Sequence, residues 1–408
     1  ARTRGDPMER RVMAPRPGWE RTIASQGLVF DETVHPDGTV THYWNESACY
    51  ALTMAEVEHL EQASERLHAM SLEAARFLAD EQSVPGSPWR ALGIPREAAQ
   101  LAVDSLNAGE PSLYGRFDLV YSGPDAPTKL LEYNADTPTG LVEAAVCQWF
   151  WKEDVFGDAV DQWNGIFEAL TDRWRRIAPP EADGTPARVH FAHTELDETG
   201  EDAMTVAVLR DAAEQAGVRG ESLLMSQIGF DTERLRFVGA DLRYLRRIFK
   251  LYPWEDMVTE RFGPRLKLDD EVRWIEPAWK MLLSTKALTA ALWHLYPGHE
   301  LLLPTFLNDR GGLREWVRKP LHGREGAGIE IRSRAGDVSS AAGRWGAEGH
   351  VYQQFHGLPD FPAPDGAPNR PVLGTWMVGD ECFGVGIRES DGPVTDALCR
   401  FVPNIIDG

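Results

Sequence analysis

Two short segments of the chain alternate polar and apolar residues in a pattern that can collect carboxylates on one face of a β-hairpin. Arg116 and Asp118 share one face of the first predicted strand, and Glu132 and Asn134 share one face of the second, because successive side chains of a strand point to opposite faces. An antiparallel pairing centred on Asp125 places Asp118 opposite Glu132 and Arg116 opposite Asn134. Directly opposed carboxylates repel each other, so the pattern favours a cation between them.

The donor types of this hairpin favour magnesium. Carboxylate and amide oxygens are hard ligands, and Mg²⁺ commonly shares them with nucleotide phosphates and water. The alternative is an ordinary solvent-facing polar face of an edge hairpin. The next residues, 136–140 (DTPTG), form a loop that opens a predicted helix, and a helix N-terminus attracts anions. This continuation favours the metal site.

A glycine-rich turn lies between β-prone runs over residues 316–331, with Lys319 on the entering strand. It matches neither the GxxxxGK[ST] loop nor the GxGxxG fingerprint. Such a turn can fold over a triphosphate, with its backbone N–H groups and Lys319 facing phosphate oxygens; an ordinary long hairpin turn is the alternative. Lys286, which opens a predicted helix over 284–296, is a second candidate phosphate ligand, or else a solvated lysine.

Another β-prone run ends at residues 352–355 (YQQF). It could offer backbone groups and glutamine amides to the edge of an adenine ring. Ordinary strand packing explains the same residues.

The elements that must position these residues change type along the chain. Helical spacing of apolar residues predicts helices early, at 54–80, 140–150, 158–177 and 201–216. A strand is predicted at 188–192, after a Pro/Gly-rich connection. The C-terminal third carries β-prone runs at 301–306, 316–321, 328–332, 350–355, 372–378 and 381–388. Helices followed by antiparallel strands predict an α+β or mixed α/β enzyme.

The net charge of the chain limits the kinds of molecule that its surface can bind. The chain has 408 residues with 42 Lys+Arg against 63 Asp+Glu, a formal charge of −21, so nucleic acid and anionic lipid are poor partners for its surface as a whole. Its four cysteines are dispersed, which favours reduced cytoplasmic thiols over a zinc site or disulfides. No run of eighteen apolar residues predicts a membrane span. The oligomeric state stays open.

Taken together, these motifs resemble the glutathionylspermidine synthase family, specifically its ATP-grasp ligase portion, which includes stand-alone bacterial homologues. The segments that carry the resemblance are residues 43–46, 111–118, 131–140, 319–326 and 352–354. The resemblance implies a multi-lobed α/β (α+β) protein with the ATP-grasp fold of the glutathionylspermidine and glutathione synthetase type. It implies one unit over 8–408, with approximate lobes 8–180, 181–280 and 281–408.

The resemblance also implies roles for individual residues. Arg116 is the transition-state arginine, and Asp118, Glu132 and Asn134 hold two magnesium ions. The implied ATP-binding residues are Arg116, Lys286, Lys319, Gly323, Arg324, Gly326, Gln353, Gln354 and Phe355, with 323–328 as a mobile lid. The implied substrate-binding residues are Thr137 and Thr139, together with Glu195 and Glu198 as two choices for one acidic position. Leu251 stands where the family has a threonine that touches glutathione, which leaves the acid substrate open.

The function implied is an ATP-dependent carboxylate–amine ligase. It would form an acyl phosphate on a peptide or amino-acid carboxylate and pass the acyl group to a polyamine or another amine. The charge of −21 favours a cationic amine. A kinase that uses the same phosphate-binding residues on a hydroxyl acceptor, and a nucleotide-binding partner protein without enzymatic activity, are the alternatives.

Overall fold

The computed structural model describes residues 7–34, 38–90, 92–324, 326–340, 343–395 and 398–407. In this part of the chain the α-helices are α1 (Trp19–Ser25), α2 (Met54–Glu81), α3 (Arg96–Asn107), α4 (Gln148–Phe156), α5 (Ile166–Ile177), α6 (Glu201–Gln215), α7 (Trp254–Met257), α8 (Met281–Ser284) and α9 (Ala287–Leu295). The strands are β1 (Glu9–Val12), β2 (Glu32–Val34), β3 (Val40–His42), β4 (Ala48–Leu52), β5 (Tyr114–Val120), β6 (Lys129–Asn134), β7 (Arg188–His193), β8 (Arg219–Leu224), β9 (Gly229–Asp231), β10 (Arg236–Val238), β11 (Arg247–Leu251), β12 (Arg273–Ile275), β13 (Thr305–Leu307), β14 (Trp316–Pro320), β15 (Glu330–Ser333), β16 (Gly336–Ser339), β17 (His350–Gln354), β18 (Arg370–Val378), β19 (Glu381–Ser390), β20 (Arg400–Val402) and β21 (Asn404–Ile406).

Helix α2 is the long helix that the apolar spacing of 54–80 predicts. It begins with a capping box in which the Thr53 hydroxyl accepts from the Glu56 N–H and the Glu56 carboxylate accepts from the Thr53 N–H. This exchange satisfies two backbone donors that a helix start otherwise leaves unpaired. The apolar side of α2, with Leu60, Leu67 and Met70 fully buried, packs on α8, α9, β18 and β19.

A five-stranded antiparallel sheet in the order β20-β19-β18-β5-β6 carries the predicted hairpin. The hairpin register is the predicted one, with Arg116 opposite Asn134 and Asp118 opposite Glu132. Strand β5 is an inner strand, and all seven of its residues are buried. The hairpin is therefore fixed from the other side by β18, which comes from the C-terminal part of the chain.

A second sheet is parallel, in the order β12-β11-β7-β8. The carboxyl ends of neighbouring parallel strands meet at one edge, which is where open α/β sheets bind ligands. The segments 194–202 and 252–257 follow β7 and β11 at this edge. The sheet therefore delivers two loops to one place.

The third large sheet is antiparallel, in the order β13-β17-β14-β15-β16, as the β-prone runs of the C-terminal third predict. Three boundaries differ from the sequence-based ones by four residues or more. The helix expected to end at residue 150 continues to Phe156 as α4. The strand expected at 301–306 begins only at Thr305, and the helix expected at 158–177 begins at Ile166. Residues Asp161 and Asn164 instead form β-bridges to Ile406 and Gly384, so tertiary pairing overrides the helical pattern there. The mixed α/β class is confirmed, whereas the three sequence-contiguous lobes stay a prediction.

Candidate active site

One cavity of about 480 Å³ lies where these elements converge, a volume in the usual range for small-molecule sites. It collects these predicted residues: Arg116, Asp118, Glu132, Asn134, Thr137, Thr139, Lys286, Lys319, Gly323, Arg324, Gly326, Gln353, Gln354 and Phe355. The remaining two, Glu195 and Glu198, are not among its lining residues.

Arg116 reaches the cavity from the middle of a buried strand. Its guanidinium donates to both oxygens of Asp118, with the Nε–Oδ1 distance at 2.7 Å, and to the carbonyl oxygen of Thr139. Space for the side chain comes from Gly374 on β18, where a Cβ atom would lie 2.8 Å from Cδ of Arg116. The guanidinium lies 5.8 Å from the centre of the Trp376 ring. Arg116 is thus held rigidly, with its charge facing the cavity.

The two opposed carboxylates of the hairpin lie among cations. Asp118 binds Arg116 and also Arg388, at 2.6 Å, and Glu132 lies 3.1 Å from the Lys286 ammonium. The Asn134 amide lies between the carboxylates, 3.3 Å from each. Burial would raise the pKa of Glu132, but Lys286 and Lys319 outweigh it and hold that pKa well below its usual value. Glu132 is therefore an anion at neutral pH.

This donor set fits a divalent cation. It offers two carboxylates, and the Asn134 amide, whose nitrogen donates to both of them here, would present its oxygen to a cation after turning over. These hard ligands leave further positions for substrate oxygens. In the described residues no group of three or more His, Cys, Asp or Glu forms a metal cluster. A set of two carboxylates is typical of a cation that is shared with phosphates rather than caged by protein alone.

Lys286 and Lys319 bring positive charge from two different elements. Lys286 caps α9 and donates to the carbonyl oxygen of Gly323 at 2.7 Å. Lys319, on β14, is buried and donates to Gln353 at 2.8 Å and to the carbonyl oxygen of Leu131 at 3.2 Å. Burial lowers the pKa of Lys319 to about 8. A nearby polyanion would return this lysine fully to its charged form.

The glycine-rich segment 323–328, of which Glu325 is outside the described residues, contacts Lys286 through the carbonyl oxygen of Gly323. Its Gly326 and Gly328 have φ of 73° and 70°, a conformation that residues with a Cβ atom rarely adopt. Arg324 pairs with Glu255 of α7. Gln354 and Phe355 line the cavity at the end of β17.

Thr137, Thr139 and Leu251 line the same cavity, with Pro253 beside Leu251. The cavity lining therefore combines hydroxyl groups with an apolar part. Leu251, at a position where the resemblance to the family implies a threonine, supplies part of this apolar lining.

The acidic residues that face the cavity differ from the ones predicted. Glu195 and Glu198 are exposed, whereas Asp197, Glu201 and Asp202 line the cavity. The carboxylate of Asp197 accepts from the N–H groups of Thr199 and Asp202, and this turns the loop so that its neighbours point outward. The carboxylates of this region that line the cavity are therefore Asp197, Glu201 and Asp202.

Behind this wall lies Glu143, which sequence reasoning missed. Its side chain is fully buried in a π-helical turn (Glu143–Cys147), and neither carboxyl oxygen makes a hydrogen bond of normal geometry in the described part of the chain. Burial, together with the nearby Glu201 carboxylate, raises the pKa of Glu143 from 4.5 to about 7. A carboxylate in the apolar stretch 141–147 was the available signal.

The raised pKa makes folding stability depend on pH at this residue. The native state holds the Glu143 proton more tightly than the unfolded chain does, so the stability that this proton gives is lost as pH rises from 4.5 through about 7. Glu143→Gln is therefore expected to be more stable than the wild type by about 3 kcal/mol at pH 8 and by less than about 1 kcal/mol at pH 5. Urea unfolding at both pH values measures this, with exposed Glu198→Gln as the control. An equal difference at pH 5 and pH 8 would contradict it.

Arg388 is the other residue that sequence reasoning missed. It lies on β19 and binds the carboxylate of Asp118 from the side opposite the hairpin partner. A lone arginine directly after the apolar run 382–387 was the signal in the sequence. Two arginines therefore hold one carboxylate of the site.

Comparison with known proteins places the chain in a family. The profile of the family "Glutathionylspermidine synthase preATP-grasp" matches residues 10–407. A protein of Haemophilus influenzae, provisionally named an acid–amine ligase, is 36% identical over 403 residues, which are 95% of this chain and 97% of that protein. In the described residues no helix is long and apolar enough to cross a membrane.

More distant relatives are longer. Trypanothione synthetase of Crithidia fasciculata is 27% identical over 81% of this chain, and the bifunctional glutathionylspermidine synthetase/amidase of Escherichia coli is 25% identical over 76%. The chain spans about half of each, 52%. A glutathione synthetase-like effector from Globodera pallida has the same fold, with a TM-score of 0.58, 10% identity and 95% coverage of both chains. The chain therefore belongs to the glutathionylspermidine synthase family, a family of carbon–nitrogen ligases, and has the glutathione synthetase-like ATP-grasp fold that its sequence predicts.

Proposed function

We propose that this protein is an ATP-dependent ligase that joins a carboxylic acid to a cationic amine through an acyl phosphate. The observation that carries the proposal is the charge arrangement of one cavity. Arg116, Lys286 and Lys319 surround the hairpin carboxylates, and a separate acidic group from the loop before α6 and its first turn lines the same space. Cations suit the phosphates of ATP, and the acidic group suits an ammonium.

Asp118, Glu132 and Asn134 are the residues that would hold Mg²⁺. When bound, the ion supplies neutralisation of phosphate charge. The chain's own lysines act on the same charge: Lys286 reaches it from α9 and Lys319 from β14. Their ammonium groups are held in place before substrate arrives, so little reorganisation is needed during phosphoryl transfer.

Arg116 and the glycine-rich segment complete the proposed reaction. Arg116 faces the cavity between Asp118 and Thr139, where its guanidinium can stabilise charge on the transferred phosphoryl group and then on the tetrahedral intermediate. The segment 323–328 would keep water from the acyl phosphate. The amine then attacks, an amide bond forms, and ADP and phosphate leave.

The two substrates would meet different walls of the cavity. Leu251 and Pro253 replace part of the polar wall with an apolar one, so the acid is constrained chiefly by the hydroxyl groups opposite. A peptide or amino-acid carboxylate fits beside Thr137 and Thr139. A polyamine, which carries several positive charges, fits the three carboxylates: Asp197, Glu201 and Asp202.

The direct test is a screen of acids and amines with ATP and Mg²⁺, in which ADP, phosphate and amide are all measured. Release of ADP and phosphate that requires both an acid and an amine supports a ligase. Hydroxylamine supplied in place of the amine should give a hydroxamate, which a kinase product cannot form. Phosphate transfer to a hydroxyl substrate without any hydroxamate would make the protein a kinase, and ATP binding without any turnover would favour the non-enzymatic alternative.

The double variant Glu201→Gln/Asp202→Asn is expected to raise the KM for the amine by about 10- to 100-fold. Each carboxylate near a cation contributes on the order of 1 kcal/mol, and about 1.4 kcal/mol corresponds to tenfold in affinity. The KM for ATP should change by less than about twofold. Steady-state kinetics with a di- or triamine against a monoamine measures the effect, which should be larger for the polyamine.

A matched control comes from the same loop. Glu195→Gln/Glu198→Gln removes two charges that are exposed and outside the cavity, and should leave the KM for the amine unchanged. If this control raised the KM while Glu201→Gln/Asp202→Asn did not, the sequence-based assignment of Glu195 and Glu198 would be the correct one.

A further inference from the structure

A buried ion pair that the proposed reaction does not use lies beside the cavity. The Lys250 ammonium is 2.7 Å from the carboxylate of Asp136, with the two side chains 0% and 2% exposed. The same ammonium donates to the carbonyl oxygen of Tyr252 at 2.9 Å, and Asp136 also accepts from the N–H of Trp254 at 2.9 Å. The two hydrogen bonds that Asp136 accepts therefore join segments that are more than a hundred residues apart in sequence.

Each of these segments forms a wall of the site. Asp136 follows the hairpin residue Asn134 and precedes Thr137, which lines the cavity. On the other side, Lys250 precedes Leu251 and Pro253, which also line it. The ion pair therefore sets the distance between the wall that bears Thr137 and the wall that bears Leu251.

The loop after β11 is also the docking point of the glycine-rich segment. Trp254 begins α7, and the next residue, Glu255, is buried and pairs with Arg324 of that segment. A further ion pair joins Asp256 to Arg344 at 2.8 Å. A small side cavity of about 50 Å³ is bounded by Asp136, Glu255 and Arg324, which puts the hairpin loop, α7 and the segment at one junction.

A second buried cation holds the hairpin side of this junction. Lys280 donates to the carbonyl oxygens of Tyr114 at 3.0 Å and Ala135 at 2.9 Å, and lies 3.3 Å from Glu276. Glu276 in turn accepts from the N–H of Tyr114 at 2.9 Å. The hairpin side is thus already fixed. Two contacts tie α7 to it: the Lys250–Asp136 pair, whose carboxylate accepts from the N–H of Trp254, and the hydrogen bond from the Trp254 indole N–H to the carbonyl oxygen of Glu276 at 3.1 Å. Of the two, only the first includes a buried charge pair.

We propose that Lys250 and Asp136 are positioning residues: their ion pair orders α7, and α7 then presents Glu255 as the dock on which Arg324 closes the glycine-rich segment over the site. Through this chain of contacts, the geometry of the metal-binding hairpin and the closure of the segment depend on each other. The consequence for the reaction rests on the proposed function. The dependence of the segment on the ion pair does not.

The variant that tests this is Lys250→Met/Asp136→Asn. It removes both charges together, because Lys250→Met alone would leave a buried carboxylate without its cation and threaten the fold. The amide oxygen introduced by Asp136→Asn can still accept from the N–H of Trp254. The first readout is hydrogen exchange of the backbone amides in 254–258 and 326–331, with Mg²⁺ and a non-hydrolysable ATP analogue present. We expect about tenfold faster exchange in both segments.

The second readout is the ratio of phosphate released to amide formed. This ratio should stay near one in the wild type and rise several-fold in the variant, because water reaches the acyl phosphate when the segment docks poorly. Glu255→Gln, which removes the dock and leaves the ion pair intact, should speed exchange in 326–331 without changing 254–258. Lys250→Gln/Asp136→Asn, which also removes both charges and keeps two polar side chains, serves for the same measurements if the first double variant does not fold.

The matched control is Arg16→Met/Glu46→Gln. This ion pair has a distance of 2.8 Å and a carboxylate side chain that is 0% exposed, and neither residue lines the cavity. It should lower stability without moving exchange in 326–331 or the product ratio. Wild-type exchange in 326–331 in the folded Lys250→Met/Asp136→Asn variant would overturn the proposal. If the wild type formed no amide with any acid and amine, the proposed function would fail while the exchange measurement still decided this inference.

Discussion

Arg116→Met is expected to lower kcat for amide formation by about 10²- to 10³-fold, the effect typical of removing one preorganised charge from a transition state. The KM for ATP should change little, because Lys286 and Lys319 still face the phosphates. The large effect on kcat is expected because the Arg116 side chain is held in place: β5 is fully buried, Gly374 makes room for the side chain, and Asp118 orients it. Rapid-quench measurement of ADP formation, with saturating ATP and acid, isolates the chemical step.

The rate of Arg388→Met should be compared with that of Arg116→Met. Both arginines bind the carboxylate of Asp118, so a role confined to holding Asp118 would make the two variants equally slow. We expect Arg116→Met to be slower than Arg388→Met by at least about tenfold, with Arg116→Lys between wild type and Arg116→Met. Equal rates for both methionine variants would assign Arg116 to positioning of Asp118 alone.

The double variant Asp118→Asn/Glu132→Gln is expected to lose turnover by on the order of 10³-fold, which corresponds to about 4 kcal/mol in the barrier. The carboxylates are opposed on one face of the hairpin, and their mutual repulsion is relieved in this structure by Arg116, Arg388 and Lys286. Without the negative charges, the site loses its affinity for a divalent cation but keeps its lysines. Binding of the nucleotide in the absence of metal should therefore survive.

Two measurements separate this loss of metal from a loss of fold. Mn²⁺ titration followed by electron paramagnetic resonance, in the presence of a non-hydrolysable ATP analogue, should find tight binding in the wild type and none in the variant. Thermal unfolding should remain cooperative, with a lower midpoint, because Arg116, Arg388 and Lys286 lose their anionic partners. Full turnover of the wild type in excess EDTA would rule out the metal role.

The β5–β6 hairpin was predictable from the sequence because its determinants are local. Alternation with a period of two, and a short connection between the strands, fix which side chains share a face and which residues oppose each other. Arg116, Asp118, Glu132 and Asn134 therefore stand in the predicted register. The long helix α2 was equally predictable, since its cap and its apolar spacing lie within one segment.

The sequence did not show which acidic residues line the cavity; the structure places Asp197, Glu201 and Asp202 there. Glu195, Glu198 and Glu201 have the same chemistry in the sequence, and only the turn made by Asp197 decides which carboxylates face the cavity. The conformation of such a loop cannot be inferred from a periodic sequence pattern, because loops have none. The sequence could place an acidic group after β7 but could not orient it.

What the sequence alone determined is the family, the mixed α/β class and most of the residues that line the cavity, because each depends on short motifs or on their order along the chain. The tertiary structure decided how these motifs are completed. Arg388 reaches Asp118 only because β18 and β19 pair beside β5, and Lys250 meets Asp136 only because β11 ends against the hairpin loop. Contacts between distant segments are set by packing of the whole chain, and packing leaves no local pattern in a single sequence.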